Sequence, residues 1–220
     1  MKRSDHFFCL LHRANQPLHE KNPFVLDRSC FLTPMWPSSQ CTFIAADLPK
    51  FDEEDVKTPS SEINICAVGP QGEKENHKLA ELFSKIPFKD YNAKFFIALR
   101  HDPSQLRIDI EAAGIGPQTS IVNERDYVKF HRNFAQCDII VSLTDPMDRP
   151  NYFPGDLKKS SGILPALVAY KRPSVIHKEF SEIYQDHLTG PFEVYNNTMK
   201  SRVEALTRML AKVHDAKKAK

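Results

Sequence analysis

Asp138-Ile139-Ile140-Val141-Ser142-Leu143 opens the stretch that decides the fold. A polar loop follows, then Lys159-Ser160-Ser161-Gly162, an apolar helix through Ala169, and a short apolar run at Ser174-Val175-Ile176. This reads as a buried strand, a loop, a helix and another strand. The first turn of that helix offers two hydroxyls, a glycine and unpaired backbone N–H groups, with Lys158 and Lys159 just before it. Helix N-termini carry free donors and a partial positive charge, so a phosphate or diphosphate would sit there. The competing reading of Ser160-Ser161-Gly162 is a serine N-cap and nothing more.

Outward from this stretch, strands and helices alternate. Ile63 to Val68 reads as a strand, and Asn76 to Lys85 as a helix with Leu79, Ala80, Leu82 and Phe83 on its apolar side. Ala93 to Leu99 is a second strand. Asp102 and Pro103 then open a helix that stops at Gly114. Ser120 to Asn123 is a third strand, and Asp126 to Gln136 a helix with Tyr127, Phe130 and Phe134 on one side. Strand four is 138–143 and strand five is Ser174 to Ile176. A helix from Phe180 to Leu188 ends before Gly190, and Phe192 to Tyr195 is strand six. The last helix starts near Asn197 or Thr198. Its stripe is Met199, Val203, Leu206, Met209, Leu210 and Val213.

Such alternation implies parallel pairing with right-handed crossovers. The expected fold is α/β: a Rossmann-like, open, mostly parallel sheet of about six strands with helices on both faces. In such sheets, ligands bind beyond the carboxyl ends of the strands. The turns there hold Gly69 to Lys74, Arg100, His101, Asn123, Glu124 and His177. Lys74 or Arg100 could pair with a phosphate, or with a surface carboxylate. Gly69-Pro70-Gln71-Gly72 is neither a G-x-G-x-x-G fingerprint nor a P-loop. Asn123, Glu124 and Tyr127 stand where a nucleobase or ribose could be held. No His/Cys/Asp/Glu set has metal-ligand spacing, so no bound metal is expected.

Residues 1–60 differ from the rest. They carry Pro17, Pro23, Pro34, Pro37, Pro49 and Pro59 and no sustained period, with Cys41 to Ile44 the one strand-like run. Proline at this density interrupts both ladders and helices. The segment reads as an irregular arm, either packed on the main domain at 61–220 or left from an N-terminal domain.

A hydrophobic share of 41% with 26% charged residues fits a folded, water-soluble chain rather than a disordered one. The net charge of +2, without a basic stripe interleaved with aromatics, argues against nucleic acid. Phe7-Phe8-Cys9-Leu10-Leu11 is too short for a signal peptide or a membrane span. The 5 cysteines are odd in number and widely spaced, and Cys66 and Cys137 read as small core residues. The expectation is a reducing compartment without a disulfide framework: the cytoplasm or the cytoplasmic face of a membrane.

From Ile63 to Val194 the sequence resembles the carboxyl-terminal, donor-binding half of glycosyltransferases of GT-B architecture. The match lies in Cys137 to Val141, the loop, and Ser160-Ser161-Gly162-Ile163-Leu164-Pro165-Ala166-Leu167 through Pro173-Ser174-Val175-Ile176, with Val68-Gly69 as the opening turn. The resemblance implies a nucleotide diphosphate sugar as donor, used without metal or other cofactor. It places the diphosphate on Ser160, Ser161 and Gly162, with help from Lys74, Arg100 and Gly69. The nucleoside would lie near Asn123, Glu124 and Tyr127, and the last helix would cross back to the N-terminal half. The paired glutamates of many retaining members are absent: Leu164 or Pro165 stands where the second belongs. The acceptor-binding half, of which 1–60 would be the last part, is also missing. The reading is therefore a truncated glycosyltransferase, or a subunit whose partner chain supplies the acceptor half, with its catalytic residues unidentified. The alternatives are a nucleotide-sugar-binding protein or inactive remnant, and a sugar-nucleotide epimerase.

Overall fold

The computed structural model describes residues 61–68, 73–99, 102–124, 126–143, 146–147, 163, 166–167, 170–185, 188 and 190–219. The arm at 1–60, with its expected strand at Cys41 to Ile44, lies outside the described residues.

Among the described residues the 6 strands are β1 (Ile63–Val68), β2 (Ala93–Leu99), β3 (Thr119–Asn123), β4 (Ile139–Val141), β5 (Ser174–His177) and β6 (Phe192–Tyr195). They form one sheet in the order β3-β2-β1-β4-β5-β6, and every pair is parallel. This is the doubly wound order of dinucleotide-binding sheets, and its switch point lies between β1 and β4. The expected Rossmann-like architecture is therefore the observed one.

The helices are α1 (Glu73–Ser84), α2 (Ser104–Ala112), α3 (Tyr127–Ala135), α4 (Lys178–Tyr184) and α5 (Met199–Lys218). Alternation along β1 splits them into two layers. Ile63, Ile65 and Ala67 point to one face, where they share a core with Leu79 and Phe83 of α1, Leu106 and Ile110 of α2, and Leu206 and Met209 of α5. Cys66 points to the other face, with Phe134 of α3, Ile163, Leu167 and Phe180 of α4. Helices on both faces bury the sheet twice, which is why its strands read as near-continuous apolar runs.

Local chemistry sets the helix ends. Asp126 caps α3, its carboxylate accepting from Lys129 N at 2.8 Å. Thr198 caps α5, accepting from Ser201 N at 3.2 Å. Helix α2 starts at Ser104, one residue later than expected, because Asp102 folds forward onto Ser104 N (3.0 Å) and Oγ (2.6 Å). Lys171 closes the segment before β5 in the left-handed region, at φ 51°.

The α5 stripe is spent on this sheet. Ala205, Leu206, Met209 and Leu210 are buried against it, and Met199, Val203 and Val213 flank them. At its far end, the Lys217 ammonium meets Asp138 Oδ1 at 3.0 Å and Glu62 O at 2.8 Å. So α5 starts at the carboxyl rim and ends at the amino rim.

One expectation fails outright. Cys66 and Cys137 are buried, as core residues should be, but they are not thiols: their sulfurs are joined. The 71-residue separation hides the pair in sequence, whereas β1 and the entry to β4 are neighbours in space. No helix among the described residues is long and apolar enough to cross a membrane.

Candidate functional site

The carboxyl ends of β1 and β4 adjoin at the switch point, paired as Ala67 with Val141. The chain leaves β1 into α1 on one face. After β4 it reaches Ile163 and Leu167 on the other. Elements that part to opposite faces leave a crevice between them, and such sheets take their ligands there.

The segment between β4 and β5 decides what faces that crevice. Leu167 N bonds Ile163 O at 3.1 Å and Lys171 N bonds Leu167 O at 3.2 Å, the i→i−4 spacing of an α-helix. Because β4 and β5 are parallel, this segment must return from the carboxyl rim to the amino rim. Ile163 therefore stands at the carboxyl-rim end of the helix and Lys171 at the amino-rim end.

Ser160, Ser161 and Gly162 precede Ile163 but lie outside the described residues, as do Gly69 and Arg100. Lys74 falls in the first turn of α1 and Tyr127 in the first turn of α3, with side chains outside the description. Asn123 ends β3, exposed. The Glu124 carboxylate accepts from Asp126 N at 2.9 Å, and Glu124 N donates to Leu99 O at 2.9 Å. That carboxylate thus braces the turn into α3. β3 is the edge strand, two strand spacings from β1, so a group at Asn123 stands about 10 Å from the switch point.

The described part of the carboxyl rim holds a polar cluster over β4, β5 and β6. His177 ends β5 at 2% exposure. Its Nδ1 accepts from Glu179 N at 3.2 Å, so Nε2 carries the proton and donates to Asn197 Oδ1 at 2.7 Å. Tyr195 ends β6 and donates its phenolic O–H to Ser142 O at 2.8 Å. The His177 ring meets the Tyr195 ring edge-on at 5.3 Å. The Arg202 guanidinium, from the first turn of α5, lies 5.0 Å from the centre of the Tyr195 ring. Ser142, His177, Tyr195 and Arg202 are all buried.

Of this cluster, sequence reasoning singled out only His177, from its place at a strand end. Arg202 carried a signal that was passed over. It falls four residues before Leu206, inside the apolar stripe, where a charged side chain must be buried.

No protein-family model matches the chain, and no curated protein matches it in sequence. Solved structures do match in fold. The sucrose-phosphate synthase of Thermosynechococcus elongatus matches at a TM-score of 0.51 and 16% identity, over 73% of this chain and 39% of that one. S. aureus TarM, in a structure that holds UDP, matches at 0.51 and 14% identity, over 74% of this chain and 32% of that one. WaaG, a glycosyltransferase involved in lipopolysaccharide biosynthesis, matches at 0.50 and 14% identity, over 75% of this chain and 42% of that one. The chain thus spans about a third to two fifths of the length of these structures. Its fold is the Rossmann-like one found in glycosyltransferases of GT-B architecture.

Proposed function

We propose that residues 61–220 are the donor-binding half of a glycosyltransferase that moves a hexosyl group from a nucleotide diphosphate sugar to a hydroxyl acceptor. The observation that carries this is the crossover from β4 to β5. It sends the start of the Ile163 helix to the carboxyl rim beside the switch point, in a fold shared with sugar transferases.

The diphosphate rests on the N–H groups and hydroxyls of Ser160, Ser161 and Gly162, with Gly69 letting the backbone approach and Lys74 and Arg100 as cations. Charge builds on the leaving diphosphate as the glycosidic bond breaks. Preorganised N–H donors and cations aimed at that charge lower the barrier without a metal or other cofactor. The nucleoside extends toward Asn123 and Tyr127, and Glu124 contributes by bracing the turn between them. The acceptor, and any base that deprotonates it, come from residues beyond this sheet: a further stretch of the same protein or a partner chain.

Titration of the full chain with ADP, GDP and UDP tests the reading. Ser160→Ala and Ser161→Ala should each weaken binding of the preferred diphosphate by about 1 kcal/mol, roughly five-fold. Unchanged affinity in the double variant removes the diphosphate from that turn. The short span shared with the matched transferases favours one further reading, a nucleotide-sugar binder without turnover. Release of sugar from labelled donor, with and without candidate acceptors, separates the two.

A further inference from the structure

The two halves of the sheet join through a short ladder. β1 and β2 are paired over 6 residues, from Ile63 with Ala93 to Val68 with Ala98. β1 and β4 are paired over only 3: Ile65 with Ile139, Cys66 with Ile140 and Ala67 with Val141. Among the described residues this short ladder is all the strand pairing that ties β3-β2-β1 to β4-β5-β6, and its carboxyl end borders the crevice. At its amino end two ties reinforce it. Asp138 Oδ2 accepts from Asn64 N at 2.8 Å, and Lys217 bridges Asp138 and Glu62. A third tie is covalent: the bond from Cys66, midway along the paired run of β1, to Cys137, just before β4.

We propose that Cys66–Cys137 is a redox-sensitive staple across the switch point: closed, it holds the two halves of the sheet in register; opened by a thiol reductant, it lets them part. Cys66 and Cys137 are 2% and 1% exposed and lie in a core with Phe134, Ile140, Ile163 and Leu167. A reductant reaches them only when this core opens, so the redox state and the local opening of the sheet on that face are linked. The chemistry is ordinary thiol–disulfide exchange. A thiolate of a dithiol attacks one sulfur, and the other leaves as a thiolate and takes a proton. The second thiol then displaces the first cysteine and closes the reductant into its own disulfide. Two electrons and two protons pass to Cys66 and Cys137. Reduction also removes the covalent tie beneath Ile163 and Leu167, whose helix starts at the rim. An effect on donor binding therefore rests on the function proposed above. The staple itself does not.

Peptide mapping of the oxidised full chain should find Cys66 linked to Cys137. Hydrogen exchange is then compared before and after reduction by a phosphine. Amides of 63–68 and 139–141 should exchange about ten-fold or more faster in the reduced chain, while those of 104–112 keep their rates. Absence of the linked peptide, or unchanged exchange at β1 and β4, overturns the staple. A second readout needs no folded reduced state. Dithiothreitol should open the bond in the native chain about a hundred-fold or more slowly than in urea, because the closed junction shields it. Equal rates overturn the proposal. Saturating nucleoside diphosphate should slow native reduction further. A chain that binds none of ADP, GDP and UDP refutes the donor site and leaves the exchange and reduction readouts to decide the staple.

Discussion

Replacing Tyr195 by phenylalanine isolates one atom of the carboxyl-rim cluster. The ring stays, and with it the edge contact to His177 and the place of the Arg202 guanidinium. What goes is the donor to Ser142 O, at 2.8 Å and buried. Losing a hydrogen bond to a buried carbonyl costs about 1–3 kcal/mol. For a domain of this size, each kcal/mol lowers Tm by about 2–4 °C, so Tyr195→Phe should melt roughly 2–12 °C below the parent. Circular dichroism at one pH, with both chains oxidised, reads the shift. The hydroxyl also bears on the site, because Ser142 begins the run from β4 toward the Ser160 turn. Nucleoside diphosphate affinity should fall about three- to ten-fold, the equivalent of 0.7–1.4 kcal/mol. A Tm within about 1 °C of the parent, with affinity unchanged, would show that the hydrogen bond holds nothing in place.

Glu193 is clasped by Lys212 Nζ at 2.6 Å and Arg208 Nε at 2.9 Å, tying β6 to α5. Burial taken alone would raise its pKa, but hydrogen bonds and charge from Lys212 and Arg208 outweigh that and hold it below the usual value. A depressed carboxylate adds stability above its unfolded pKa, near 4.3, and loses it as pH falls through the folded value. Glu193→Gln should therefore cost up to about 1 kcal/mol at pH 7, and the difference should shrink as pH falls through the folded value; a gap that stays constant across the acid range rejects the pairing. Gly190 has no room for a side chain, since a Cβ would lie 2.7 Å from Lys171 O and 2.8 Å from Lys171 C. Gly190→Ala should destabilise by about 1–3 kcal/mol in urea titration, and a neutral result would mean that the backbone at Lys171 yields. Lys171 itself sits at φ 51°, a region that disfavours a Cβ. Lys171→Gly should raise stability by about 1 kcal/mol or less, and a fall in the urea midpoint would contradict the strain argument.

Where burial on both faces made the strands apolar throughout, the sequence was enough. Ile63–Val68, Ala93–Leu99 and Phe192–Tyr195 are the very runs that pattern alone picks out. β4 came out shorter than the apolar run at 138–143, as Ile139–Val141. Asp138 is diverted to Asn64 and Lys217, and Ser142 O is taken by a tyrosine rather than a strand. Such endings depend on partners as many as 79 residues away, and no local period records them. The same limit hid the disulfide, whose halves belong to elements that become neighbours only after three crossovers. The direction of the Ile163 helix was legible because it follows from a general rule, parallel strands with a returning helix, rather than from a particular contact.

The two rims of the sheet are built for different work. At the amino rim the end of α5 lies over the β1–β4 junction, with the Lys217 ammonium bonded to both Asp138 and Glu62. Lys94 adds a second pair to Glu62 at 2.8 Å. These are charge pairs that close a seam. At the carboxyl rim the described contacts are of another kind: a histidine with both nitrogens engaged, a tyrosine on a main-chain carbonyl and an arginine against a ring. Buried polar groups of this kind cost free energy unless every bond is made, so they favour one arrangement of the strand ends over its near neighbours. A sheet that served only as a core could have used leucine at these positions. Fixing the ends of β4, β5 and β6 to a single geometry is worth that cost where a ligand must be met by backbone groups already in place, and in this topology that rim is the carboxyl one.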